Sequence, residues 1–147
     1  MVKHTAREIA GYFLANVPDH VGDNLSNLKL QKLLYYAQGG HLALFGEPLF
    51  DDAIEAWTHG PVVPSLYHEL KAYGAGALPV PDEFDFSTFD EQTRGLLDEI
   101  FAVYGQYSAW KLADMTHEEF PCSATPRGAV IPLSLMQDYF KTQLIDG

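Results

Sequence analysis

The chain has 147 residues, 47% of them hydrophobic and 20% charged, a composition that supports a packed core and excludes a disordered polyelectrolyte. Lys plus Arg number 9 against 20 Asp plus Glu, a formal charge of −11, and the cations are dispersed. DNA or RNA is therefore disfavoured as the main partner, and a basic protein is favoured.

Thr5-Ala6-Arg7-Glu8 reads as a capping box that opens a helix bearing Ile9, Tyr12 and Phe13, stopped at Val17-Pro18-Asp19. The polar residues 1 to 6 run straight into it, so no signal peptide is expected. Gly22 to Asn24 is a polar turn. Ser26 caps the strongest periodic segment, with Leu30, Leu33, Leu34, Ala37, His41 and Leu44 on one face and a stop at Gly46-Glu47-Pro48. Gly39 and Gly40 inside it each cost about 1 kcal/mol of helix propensity relative to Ala, which predicts close approach of another element. The longest apolar stretch, Leu33 to Phe45, is interrupted by polar side chains and falls short of the roughly 20 residues a membrane span needs. With a single thiol in the chain, these signs point to a cytoplasmic protein and no membrane partner.

Ile54, Ala56 and Thr58 alternate with Ala53, Glu55 and Trp57, the pattern of a short half-buried strand. His59-Gly60-Pro61 reads as a turn, and Pro64 as the first residue of a helix carrying Val63, Leu66, Tyr67 and Leu70 to a stop at Gly74. Ala75 to Phe86 is a surface loop, because neither flank is large enough for its own core. Ser87 or Thr88 caps a helix with Leu96, Leu97, Ile100, Phe101 and Tyr104, ended by Gly105. Ser108 caps a short helix through Met115, and Pro121 closes the segment after it. Ala129 to Ile131 is extended, and a last helix carries Leu133, Met136, Phe140 and Leu144. The predicted class is mainly α (α+β): one compact helical domain over 1–147, with five to six helices and one or two short β-strands able to pair.

No catalytic constellation emerges. His41 reads as a satisfied core histidine, while His59 and His68 lack the one-turn spacing of a helical zinc site. His117-Glu118-Glu119 begins like a metalloprotease helix, but position 121 is Pro. One cysteine, Cys122, excludes an internal disulfide and a multi-cysteine metal site. Cys122 paired with His117 is the enzymatic alternative, and its acidic neighbours argue against a thiolate there. No cofactor or metal is expected. Trp57 to Pro64, and Ser108 to Leu112 followed by Thr116-His117, have two readings. They are a turn and two helix starts, or they form an aromatic, proline-shaped surface that anchors another protein. On the second reading the candidate partner-binding residues are Trp57, His59, Gly60, Pro61, Pro64, Tyr67, His68 and His117.

Leu28-Lys29-Leu30-Gln31-Lys32-Leu33-Leu34-Tyr35-Tyr36-Ala37-Gln38, Gly46-Glu47-Pro48-Leu49-Phe50 and Ile54 through Pro64 stand in the order and spacing of a known family, and Tyr107-Ser108-Ala109-Trp110, Leu112 and Thr116-His117 match its later block. The chain resembles the Panacea domain family, which groups SocA-like antitoxins with GepA-like phage-associated proteins. It departs from the family at Pro121-Cys122, where relatives often carry proline-tryptophan. The resemblance implies an antitoxin, not an enzyme, that neutralises a cognate protein toxin by direct contact. Its SocA-like members add the expectation of an adaptor that delivers the toxin to the ClpXP protease. The rival reading is a phage or mobile-element protein that binds a host factor.

Overall fold

Reciprocal capping at Thr5 opens α1 (Ala6–Ala15): its hydroxyl accepts the Glu8 amide at 3.1 Å, and its own amide donates to the Glu8 carboxylate at 2.9 Å. The computed structural model describes residues 4–16, 25–74, 78, 79, 81 and 83–145. The predicted stop at Val17-Pro18-Asp19 and the turn at Gly22 to Asn24 lie outside these residues, as do most of the glycine-containing start of the 75–86 loop and the Leu144 side chain. α1 sets Ile9, Ala10 and Phe13 into the core, and its Tyr12 hydroxyl donates to Asp98 at 2.7 Å.

The Ser26 hydroxyl accepts the Lys29 amide at 3.2 Å and starts α2 (Asn27–Phe45), which ends on Gly46 in the left-handed region with φ 75°. Every residue from Lys29 to Leu42 is buried, and α1, α4 (Glu91–Tyr104), α5 (Ala109–Glu118) and α7 (Leu133–Ile145) all pack on this helix. A helix surrounded on all sides is normally apolar all round. This one is not, because its polar side chains fasten the segment that follows it. The Gln38 amide group donates to the Phe50 carbonyl at 2.8 Å and accepts from the Leu49 amide at 2.8 Å. Gln31 accepts from the Val63 amide at 2.8 Å, and the Lys32 ammonium donates to the Pro61 carbonyl at 2.9 Å. His41 is a satisfied core histidine, its Nδ1 2.7 Å from the Glu47 carbonyl. Leu44, predicted on the apolar face, is 51% exposed, since the packing partners end a turn earlier.

Those fastenings hold a hairpin of β1 (Glu55–Trp57) and β2 (Gly60–Val62), paired antiparallel with Glu55 opposite Val62 and Trp57 opposite Gly60. The turn is Thr58-His59 and not His59-Gly60-Pro61: Gly60 and Pro61 belong to β2. Gly60 is required twice. Its φ of 102° suits glycine, and a Cβ there would stand 2.7 Å from the Thr116 hydroxyl. The 128–131 segment lies along the other edge of β1, with the Ile131 amide on the Ile54 carbonyl at 2.8 Å and the Ala56 amide on the Ala129 carbonyl at 3.0 Å. The two predicted extended pieces therefore do meet.

Pro64 opens α3 (Pro64–Leu70), a 3-10 turn follows at Lys71–Tyr73, and Gly74 ends it. The cap of α4 is Asp90, which accepts the Thr93 amide at 2.7 Å, and not Ser87 or Thr88, which lie in a 3-10 turn capped by Asp85. A carboxylate at the helix start also favours the dipole, so Asp is the better cap. α5 begins on Ser108 as predicted and runs past Met115 to Glu118. Pro121 does not close a segment. It lies in the first turn of α6 (Phe120–Ser123), which makes seven helices among the described residues against the five to six predicted. α7 lays Met136 and Phe140 on α2, and a Cβ on Gly39 would strike the Phe140 ring. The close approach predicted at Gly39 is thus by α7. At Gly40 it is by Leu96 of α4.

Candidate functional site

A cavity of about 840 Å³ opens where the hairpin turn meets the start of α2, the end of α3, the start of α5 and the 127–128 segment. Its size is that of a ligand or anchor pocket. Trp57 projects from the end of β1, half-buried, its indole nitrogen donating to the Glu55 carboxylate at 2.9 Å. Tyr67 of α3 meets it edge-on, with ring centroids 5.0 Å apart. Across the mouth, His59 at the hairpin tip packs edge-on against Trp110 of α5 at 5.0 Å, and Trp110 remains 60% exposed. Both tryptophans of the chain line this one cavity. Large exposed aromatics held by rigid elements are favoured contact anchors.

Of the residues predicted for partner binding, Trp57, His59 and Tyr67 line the cavity. His68 is exposed beside Trp57, with ring centroids 6.0 Å apart. Gly60 and Pro61 are buried in the hairpin, Pro64 starts α3, and His117 is exposed on the last turn of α5 outside the cavity lining. Trp110 belongs to a segment the sequence singles out but not to the predicted residues. Lys32, Lys71 and Arg127 also line the cavity; Lys32 lies in the 28–38 motif, but the three are distant in the chain and none belongs to a basic run, so nothing in the sequence brings them together. Among the described residues no Asp or Glu lines the cavity. The bulk acidity of the chain is reversed here.

Lys32 lies at the inner wall with no accessible surface, and burial pulls its ammonium down to about pKa 7. Behind it is a second polar cluster. Glu119, between α5 and α6, accepts from the Tyr35 hydroxyl at 2.9 Å and the Tyr36 hydroxyl at 2.7 Å, and Tyr36 stacks on Tyr104 with centroids 3.7 Å apart. Burial raises the Glu119 pKa against the two hydrogen bonds that lower it, and burial also pushes both tyrosines far above their ordinary value. Glu118, beside Glu119, is exposed. Cys122 is buried, and its thiol is pushed up first by burial, with Glu119 adding and Lys32 opposing. A buried protonated thiol and an exposed His117 do not make a nucleophile pair. Among the described residues no group of three or more His, Cys, Asp or Glu is placed to hold a metal.

The tyrosine cluster predicts a stability effect. Glu119→Ala strands two tyrosine hydroxyls and is expected to cost about 2–4 kcal/mol in urea unfolding. Glu119→Gln keeps an acceptor and a donor for them and is expected to stay within about 1 kcal/mol of the parent. Because folding raises this carboxyl's pKa above its ordinary value of 4.5, the folded chain binds the extra proton, and the contribution to stability falls as pH rises from about 4.5 through the folded pKa. The Gln variant should lack that fall.

A family model described as Antitoxin SocA-like, Panacea domain, matches residues 30–121. The match covers the whole of the hairpin, α3 and α5, and all of α2 but its first turn. Antitoxin SocA of Caulobacter vibrioides (strain NA1000 / CB15N) is 50% identical over 50 residues, which is 34% of this chain and 27% of that protein. No solved structure matches the chain. No helix among the described residues is long and apolar enough to cross a membrane.

Proposed function

The chain belongs to the SocA-like antitoxin family of Panacea domains, and from that premise we propose that it is the antitoxin of a toxin–antitoxin pair, neutralising a cognate protein toxin by direct binding in the cytoplasm. The observation that carries this reading is the cavity at the hairpin, where both tryptophans, Tyr67 and His59 converge on fixed backbone. Gln31 and Lys32 pin β2 and the start of α3 to the central helix before any partner arrives. A preorganised contact surface loses less entropy on binding. The chain works by binding and not by catalysis. One core runs from Ala6 to Phe140, which supports a single unit.

The test is co-expression with the toxic product of the neighbouring gene, read as growth rescue and as affinity. Trp110→Ala and His59→Ala are expected to weaken toxin binding by about 1–2 kcal/mol each, roughly 5- to 30-fold, while thermal unfolding stays cooperative at an unchanged midpoint. A lower midpoint with unchanged affinity of the folded protein would make these residues scaffold. Absence of any toxic neighbour would favour the host-factor reading. Neutralisation by occlusion needs no protease, so the toxin's half-life with and without active ClpXP separates occlusion from delivery.

A further inference from the structure

Three of the 9 Lys and Arg residues, from three distant parts of the chain, meet at one cavity where, among the described residues, no Asp or Glu is in the lining. In a chain of net charge −11 this is the opposite of the average surface. Lys71, on the 3-10 turn after α3, and Arg127, before the segment beside β1, are exposed and open to a ligand. Among the described residues neither forms an ion pair. Lys32 stands behind them, without accessible surface and hydrogen-bonded to the Pro61 carbonyl. The remaining wall is aromatic, from Trp57, Tyr67 and Trp110. Apolar walls with a few converging cations recognise an apolar group that carries an anion.

We propose that the cavity takes a segment of the partner polypeptide in which an aromatic or aliphatic side chain stands beside a carboxylate, the side chain against the two indoles and the carboxylate met by Lys71 and Arg127. The partner's identity as a toxin rests on the antitoxin reading; the chemistry of the segment rests on the cavity alone. Steering and recognition then differ in sign. The acidic surface draws a basic protein from a distance, and the anchor that enters is locally acidic.

Tryptophan fluorescence reads the cavity directly, because both tryptophans line it. N-acetyl-Phe-Asp-amide is expected to bind saturably and at least tenfold tighter than N-acetyl-Phe-Asn-amide or N-acetyl-Phe-Lys-amide, and to weaken as NaCl rises. The double variant Lys71→Glu/Arg127→Glu should lose this preference with its circular dichroism melt unchanged, and Lys71→Arg/Arg127→Lys should retain it. Absent binding, equal affinities or a preference for the Lys peptide would overturn the proposal. So would 3-phenylpropionate binding as tightly as the Asp peptide, since that would make the cavity a site for small acids. The toxin arm keeps the two readings apart. Growth rescue by the parent but not by the Glu double variant supports the proposal, and equal rescue by both removes it while leaving the antitoxin reading. A parent chain that rescues nothing removes the antitoxin reading, and the peptide titration still decides the chemistry.

Discussion

Lys32→Met is expected to stabilise the protein at pH 7 and to flatten its stability between pH 7 and 9.5. Lys32 has no accessible surface and one hydrogen bond, to the Pro61 carbonyl at 2.9 Å. Burial is the main cause that takes its pKa from 10.5 to about 7, with the nearby Cys122 opposing weakly. Between those values the unfolded chain binds a proton that the folded chain does not, so stability rises with pH across the window, by about 1.4 kcal/mol per unit. Above about 10.5 the contribution is complete; it is lost as pH falls toward 7 and is level below. The parent should therefore gain about 3 kcal/mol between pH 7 and 9.5 relative to Lys32→Met. At pH 7 removing the ammonium recovers about 4 kcal/mol of ionisation cost and strands one carbonyl worth about 1–2 kcal/mol. The net expectation is a variant about 2 kcal/mol more stable, measured by urea unfolding at several pH values. Parallel pH curves for the two proteins would show that Lys32 is not titrating in the fold. A residue that costs stability at the wall of a cavity is the pattern of a binding site, where stability is traded for function.

Gly39→Val is expected to destabilise the protein by about 3 kcal/mol or more, or to prevent folding, whereas Gly95→Ala is expected to stabilise it by about 1 kcal/mol. Both glycines lie inside helices, and propensity alone would favour substitution at either. At Gly39 an added Cβ meets the Phe140 ring, with its Cζ at 2.7 Å and two further ring atoms closer still. That ring has no room to yield. It is held edge-on by Tyr35 at 5.4 Å, Tyr36 at 6.0 Å and Tyr139 at 5.2 Å. At Gly95 nothing lies within 4 Å and the position is exposed. Phe140→Leu in the Gly39→Ala background should recover part of the loss, since it shortens the side chain the new methyl strikes. Equal stability of Gly39→Val and the parent, read from thermal midpoints, would mean that α7 does not sit on α2 in this way.

Most helix starts were legible because caps are local. Thr5, Ser26 and Ser108 act within three residues of themselves, so spacing in the chain is enough to find them. Asp90 was missed in favour of Ser87 or Thr88 because several capping residues stand within four positions, and which amide is left orphaned depends on where the preceding 3-10 turn ends. β2 was hidden for a related reason. Gly60-Pro61 has the composition of a turn, but Trp57 pairs with Gly60, and the hydrogen bond from Lys32 to Pro61 turns that dipeptide into a strand edge.

Composition, periodicity and motif order were enough for a mainly helical chain, for two extended pieces between the helices and, through the motifs, for the family. Local periodicity, capping and motif order carry that information in a few neighbouring residues. It took the folded contacts to bring Trp110 against His59, to gather Lys32, Lys71 and Arg127 at one cavity that no carboxylate of the described residues lines, and to set the half-buried Glu119 between two tyrosine hydroxyls. These depend on contacts between residues up to about a hundred positions apart. Burial then sets their charge, because desolvation acts on a side chain according to what surrounds it in space and not what precedes it in the chain.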